Sequence, residues 1–104
     1  MKDRNEQELR QRIVGSFLKE SREKAGFTQA SVAKELGYLS AQFVSNWERG
    51  TAMPPMNILP ELVRLFAISP KEFLKRLHEY QEVFLAMEKE CLRAAFKTRF
   101  RDIS

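Results

Sequence analysis

An all-α fold is predicted for these 104 residues: a five-helix domain over 1–74, continued by a helical extension over 75–104. Three observations predict it. Between Thr28 and Gly50, the apolar residues Val32, Ala33, Leu36, Val44 and Trp47 recur at helical spacing. Residues that start helices precede such runs, at Thr28, at Ser40 and at Ser69-Pro70. From Lys71 to Ser104 there is neither glycine nor proline to interrupt a helix.

The first helix is expected from about Asn5, a cap with Glu8 three residues on, to Ala25, with Gly26 closing it. Leu9, Ile13, Phe17 and Ser21 mark its inner face. A loose arm over residues 1–11 is the alternative. The next two helices are split by Gly37 and a short Tyr38-Leu39 turn, and each opens on a hydroxyl cap, Thr28 and then Ser40. Two short helices joined by a tight glycine-containing turn form a helix-turn-helix, here over 28–50, whose second helix fits a DNA major groove. The stretch TAMPPM after Gly50 reads as a proline-punctuated loop. Asn57 is expected to cap a fourth helix reaching about Phe66, with Pro60 in its first turn and Leu59, Leu62, Val63 and Phe66 inward. Ser69-Pro70-Lys71-Glu72 then starts the fifth.

In the fifth helix and its extension, Phe73, Leu77, Tyr80, Phe84, Met87, Cys91 and Ala94 alternate steps of four and three, a heptad seam. Leu85, Leu92 and Phe96 form a second stripe to one side. One helix alone does not bury two stripes. The expectation is that one packs on its own domain and the other on a second copy, with Leu77, Tyr80, Phe84, Met87 and Cys91 assigned to dimerisation. A helix folded back wholly on its own monomer is the alternative.

Composition narrows the function. Hydrophobic residues make up 43% and charged residues 31%, ordinary for a globular chain. The net charge of +4 and pI of about 9.5 favour a polyanionic partner modestly. The charge map does not single out the helix-turn-helix, where Lys34 and Arg49 balance Glu35 and Glu48. No apolar run has the roughly 18–20 residues a bilayer span needs, and MKDRNEQELRQR lacks a signal-peptide core. One cysteine excludes an internal disulfide and a cysteine-based zinc site, which suits a reducing cytoplasm. His78 and Cys91, the only residues of their kinds, do not share a helical face, and no phosphate loop or zinc spacing stands out. No catalysis, cofactor or metal is expected.

The segments TQASVAKELG, SAQFVSNWERG and ILPELVRLFAIS resemble the Cro/CI, or XRE, family of lambda-repressor-like DNA-binding proteins. The likeness covers roughly Ile13 to Leu74. It implies that the outward first turn of helix 40–49 meets base edges, with Ala41, Gln42, Phe43, Ser45 and Asn46 as readers. Gln42 is the leading one, because its amide both donates to and accepts from adenine. Phe43 is open between groove contact and packing at the turn. Thr28, Gln29, Ser40, Arg49 and Thr51, with the Gly50–Thr51 backbone, are assigned to phosphates. The resemblance further implies an Arg22–Glu48 ion pair bracing the first helix against the recognition helix. The partners expected are double-stranded DNA and a second copy of the chain. An antitoxin or adaptor whose C-terminal helix grips another protein is the other reading.

Three departures from the family pattern accompany the likeness. The turn holds two residues, Tyr38 and Leu39, where many relatives have one, which could tilt or shift the recognition helix. Ser31 stands where relatives often place glutamate, leaving the capping box incomplete. Ala67 replaces a glycine, so the fourth helix should end less sharply.

Overall fold

The computed structural model describes residues 2–100 and is all-helical across them, with five helices and no strand. The last four positions of the expected extension, 101–104, lie outside the described residues. Helix α1 is continuous through three segments, α-helical Lys2–Arg10, π-helical Gln11–Gly15 and α-helical Ser16–Lys24. Then follow α2 (Gln29–Leu36), α3 (Gln42–Glu48), α4 (Leu59–Leu65) and α5 (Pro70–Arg99).

The start of α1 settles the alternative left by the sequence. Lys2–Arg10 is helical and Leu9 within it is buried, so this stretch is not a loose arm. The π segment was not predicted. Its wider turn carries one residue more than an α turn, which turns Ile13, Val14 and Gly15 all inward. Val14 and Leu18, absent from the predicted face, are among the most buried side chains of the chain. Gly15 is where α1 crosses the end of α3: a β-carbon there would collide with the Glu48 carbonyl. The helix ends as expected, with Gly26 at φ 84° and the Phe27 amide donating back to the Arg22 carbonyl at 3.1 Å.

Helices α2 and α3 bury Val32, Ala33, Val44 and Trp47 against α1. The cap of α2 corrects one expectation. The Thr28 hydroxyl accepts from the Ser31 amide at 3.0 Å, and Ser31 Oγ accepts from the Thr28 amide at 2.9 Å. The box is complete, because a serine at this position reaches the same amide that a glutamate would.

The start and end of α4 differ from prediction as well. Asn57 caps nothing; the chain enters through a turn in which the Ile58 amide donates to the Pro55 carbonyl at 2.9 Å. Ala67 does not blunt the end. It adopts φ 53°, and the Ile68 amide closes onto the Val63 carbonyl at 3.0 Å, the same termination a glycine would give. The conformation is retained at the cost of placing an alanine β-carbon in the left-handed region.

Ser69 starts α5 as expected, its hydroxyl accepting from the Glu72 amide at 3.4 Å. The helix runs 30 residues without a break. At about 1.5 Å per residue it is ~45 Å long, which accounts for the elongated 55 × 28 × 21 Å molecule. Its near half packs on α1: Phe73 stacks on Phe17 at 6.2 Å, and the buried Tyr80, stacked on Phe84 of its own helix at 5.9 Å, accepts from Arg10 Nη1 at 3.1 Å. From Lys89 onward every described residue is exposed.

That placement divides the heptad seam. Tyr80 is 8% exposed, and Leu77, Phe84 and Met87 pack against the chain's own core. Cys91 is exposed. The stripe left uncovered is the second one, with Leu85, Leu92 and Phe96 between 40% and 54% exposed. The seam folds inward as far as Met87 because α1 begins early enough to cover that part.

Candidate nucleic-acid interface

The recognition helix is held out from the body by its own alternation. Val44, Trp47 and Glu48 point inward and are buried, while Gln42, Phe43 and Arg49 are exposed and Ala41, Ser45 and Asn46 are half-buried. The regular helix begins at Gln42 rather than at residue 40. Ser40 nonetheless receives the Gln42 amide on its hydroxyl at 3.0 Å, so that side chain is spent on helix initiation.

The two-residue turn costs little distortion. The Tyr38 amide donates to the Ala33 carbonyl at 2.8 Å, and the Tyr38 ring folds back against Trp47 (5.7 Å) and Phe43 (4.7 Å). The extra residue is taken up by Leu39, which stands wholly in solvent. Phe43, left open by the sequence, packs on Tyr38 and remains 48% exposed on its other side.

On the outer face, three polar side chains are linked. Asn46 Oδ1 accepts from Gln42 Nε2 at 2.9 Å and from Arg49 Nη2 at 2.8 Å. Asn46 therefore orients its two neighbours. The Gln42 amide keeps its oxygen and its second N–H, the pair that a bidentate contact to adenine requires. Neither residue turns into the interior: Gln42 is exposed and Asn46 half-buried.

Beneath that face lies the brace. Arg22 Nε donates to Glu48 Oε2 at 2.6 Å and Nη2 to Glu48 Oε1 at 3.3 Å. Arg22 Nη1 donates to the Phe27 carbonyl at 2.7 Å, and Gln29 Nε2 to Glu48 Oε1 at 2.8 Å. Arg22 and Glu48 are 8% and 6% exposed, so the pair is removed from water with most of its donors matched. Gln29 thus ties the start of α2 to the end of α3, a role for its amide besides the phosphate one that the resemblance implies.

Several residues assigned to phosphate are already engaged. Thr28 is committed to its capping box with Ser31. The Gly50–Thr51 backbone is not a free donor pair: the Gly50 amide donates to the Trp47 carbonyl at 3.3 Å and the Thr51 amide to the Asn46 carbonyl at 2.9 Å. What this turn presents outward is the Thr51 hydroxyl, with the Arg49 guanidinium beside it. At the start of α2, the Ser31 amide is taken by the Thr28 hydroxyl at 3.0 Å and the Val32 amide by the Thr28 carbonyl at 3.1 Å.

Two residues that the sequence did not single out reach the same turn. Gln7 Nε2 donates to Thr51 Oγ1 at 3.3 Å, and Arg10 Nε to the Gly50 carbonyl at 2.8 Å. The available signal was weak: Glu6 and Arg10 form an i,i+4 pair, which describes any solvated helix face equally well.

Against known proteins, a family model described as helix-turn-helix matches residues 18–73, more than half of the chain. No curated protein and no solved structure matches it. With an all-α fold, an outward polar helix and a glycine-closed turn inside the matched span, the chain belongs to the XRE, lambda-repressor-like family of helix-turn-helix DNA-binding proteins.

Proposed function

We propose that the protein is a sequence-specific regulator of transcription, repressor-like, that reads double-stranded DNA in the cytoplasm as a homodimer. Gln42 is the principal base reader, with Ala41, Ser45 and the free edge of Phe43 completing the surface. Asn46 holds Gln42 and Arg49 in place. Arg49, Thr51, Gln29 and the start of α2 at Thr28 position the domain on phosphates, and Ser40 contributes through the helix start it fixes. The observation that carries this reading is the linked Gln42–Asn46–Arg49 row on an uncovered helix face. Its specificity rests on amides and methyl contacts, since only Arg49 brings a cation to α3.

The dimer in this proposal uses Leu85, Leu92 and Phe96, the stripe that α1 leaves open. A helix that projects with apolar residues in water is supported by a partner surface, and two recognition helices would then read half-sites about 34 Å apart. The same exposed stripe favours the second reading, an adaptor or antitoxin whose α5 grips another protein.

In vitro selection of DNA sites at two salt concentrations tests the central claim. A pseudo-symmetric motif is expected from the wild-type chain. Gln42→Ala should weaken the selected site by about 1–3 kcal/mol and relax one base position. Unchanged affinity and base preference in that variant would mean that α3 does not dock through Gln42.

A further inference from the structure

The turn that ends the recognition helix is held from outside the family-matched span. Arg10 lies before it, on α1, and Tyr80 after it, on α5. From its place on α1, Arg10 bonds in three directions: Nε to the Gly50 carbonyl at 2.8 Å, Nη1 to Glu6 Oε2 at 3.0 Å and to the Tyr80 hydroxyl at 3.1 Å. Gln7, one turn earlier, reaches Thr51 Oγ1. The approach is close: a β-carbon on Gly50 would lie 2.5 Å from the Gln11 amide nitrogen and 2.6 Å from the Gln7 carbonyl. Gly50 itself is at φ 77°, so no side chain of its own steadies the turn.

We infer that Arg10 is a positioning residue for DNA binding: it fixes the Gly50–Thr51 peptide, and with it the Thr51 hydroxyl and Arg49, and Tyr80 fixes Arg10. The seating of α5 on α1 is thereby coupled to the affinity of α3 for DNA. The inference rests on the DNA-reading function proposed above. Three observations separate positioning from direct phosphate binding. The Arg10 side chain is only 14% exposed, its charge is met by Glu6, and three of its five N–H donors are taken by acceptors. A guanidinium so enclosed, with its charge already met by a carboxylate, is poorly placed to meet a phosphate. Holding the Gly50 carbonyl fixes the plane of the peptide that follows, which sets where the Thr51 side chain points.

The test uses the full chain, the DNA site selected by the wild type, and the variants Tyr80→Phe, Arg10→Gln and Arg10→Lys. Tyr80→Phe removes one hydroxyl and keeps the stack on Phe84. One such lost hydrogen bond should weaken DNA binding by about 2–10-fold, with base preference unchanged. Arg10→Gln should lose at least as much, and Arg10→Lys should not restore it, because an ammonium does not bridge the same acceptors. The double variant Arg10→Gln/Tyr80→Phe should bind no more weakly than Arg10→Gln alone, since Tyr80 acts through Arg10. Any change in the slope of log affinity against log salt should be the same in Arg10→Gln and Arg10→Lys, because the charge of residue 10 itself meets no phosphate. Wild-type affinity in Tyr80→Phe and Arg10→Gln overturns the inference. So does a salt slope reduced by about one phosphate in Arg10→Gln, with Arg10→Lys restoring both, which marks a direct phosphate contact. A wild-type chain that selects no DNA site overturns instead the function on which the inference rests.

Discussion

Replacing Glu48 by glutamine tests how much of the fold depends on one buried charge. The Glu48 carboxylate receives three donors, Arg22 Nε at 2.6 Å, Arg22 Nη2 at 3.3 Å and Gln29 Nε2 at 2.8 Å. Glutamine keeps the shape but turns one of the two acceptor oxygens into an amide donor, which must then face either the guanidinium or the Gln29 amide. Arg22 remains buried at 8% exposure, with the Phe27 carbonyl at 2.7 Å and the Glu23 carboxylate at 3.8 Å. Removing one partner of a buried pair costs about 3–5 kcal/mol, because the survivor keeps its desolvation penalty. The remaining partners of Arg22 place the expected loss near the lower end, about 3 kcal/mol. At ~4–8 °C per kcal/mol for a domain of this size, the melting temperature should fall by roughly 12–24 °C. Thermal denaturation followed by circular dichroism, with a urea titration beside it, measures both figures. The double variant Arg22→Met/Glu48→Leu should recover much of the loss, since apolar residues of similar volume carry no stranded charge. A Glu48→Gln melting curve within a degree of wild type would refute the reasoning.

Three further outcomes follow from the geometry. Ala67→Gly should raise stability by about 0.5–1 kcal/mol: left-handed strain of roughly 1–2 kcal/mol is relieved, and the freer unfolded chain takes part of it back. An unchanged or lower melting temperature would show that Ala67 carries no strain. Gly15→Ala should destabilise despite the better helix propensity of alanine, because the new methyl meets the backbone of Glu48; urea denaturation that finds the variant equal or more stable would disprove the close crossing. Leu92→Glu with Phe96→Glu should leave the melting temperature of the monomer near wild type and abolish self-association in sedimentation. Dimers that persist would place the interface away from α5.

Much of the fold could be read locally. Thr28 and Ser69 cap their helices with their own hydroxyls, Gly26 and Gly37 close them in the left-handed region, and these choices depend on a few neighbouring residues. The outward face of α3 was legible for a similar reason: once Val44 and Trp47 are inside, a period of 3.6 leaves Gln42 and Asn46 outside. Local signals failed where two chemistries satisfy one geometry. Ser31 closes the box expected of glutamate, and Ala67 takes a conformation expected of glycine. The π turn in α1 gave no compositional sign.

What the sequence alone determined is the set of helices, several of their caps and most of their apolar sides, because those follow from backbone hydrogen bonding and side-chain spacing within about one turn. Which stripe of α5 is covered was decided only in three dimensions. Two apolar stripes on one helix look alike in sequence, and the arrival of α1 against Tyr80, Phe84 and Met87 buries one and leaves Leu85, Leu92 and Phe96 in water. The grip of Arg10 on the turn after α3 belongs to the same class. It joins positions 40 and 70 residues apart, and spacing along the chain carries no information about contacts of that reach.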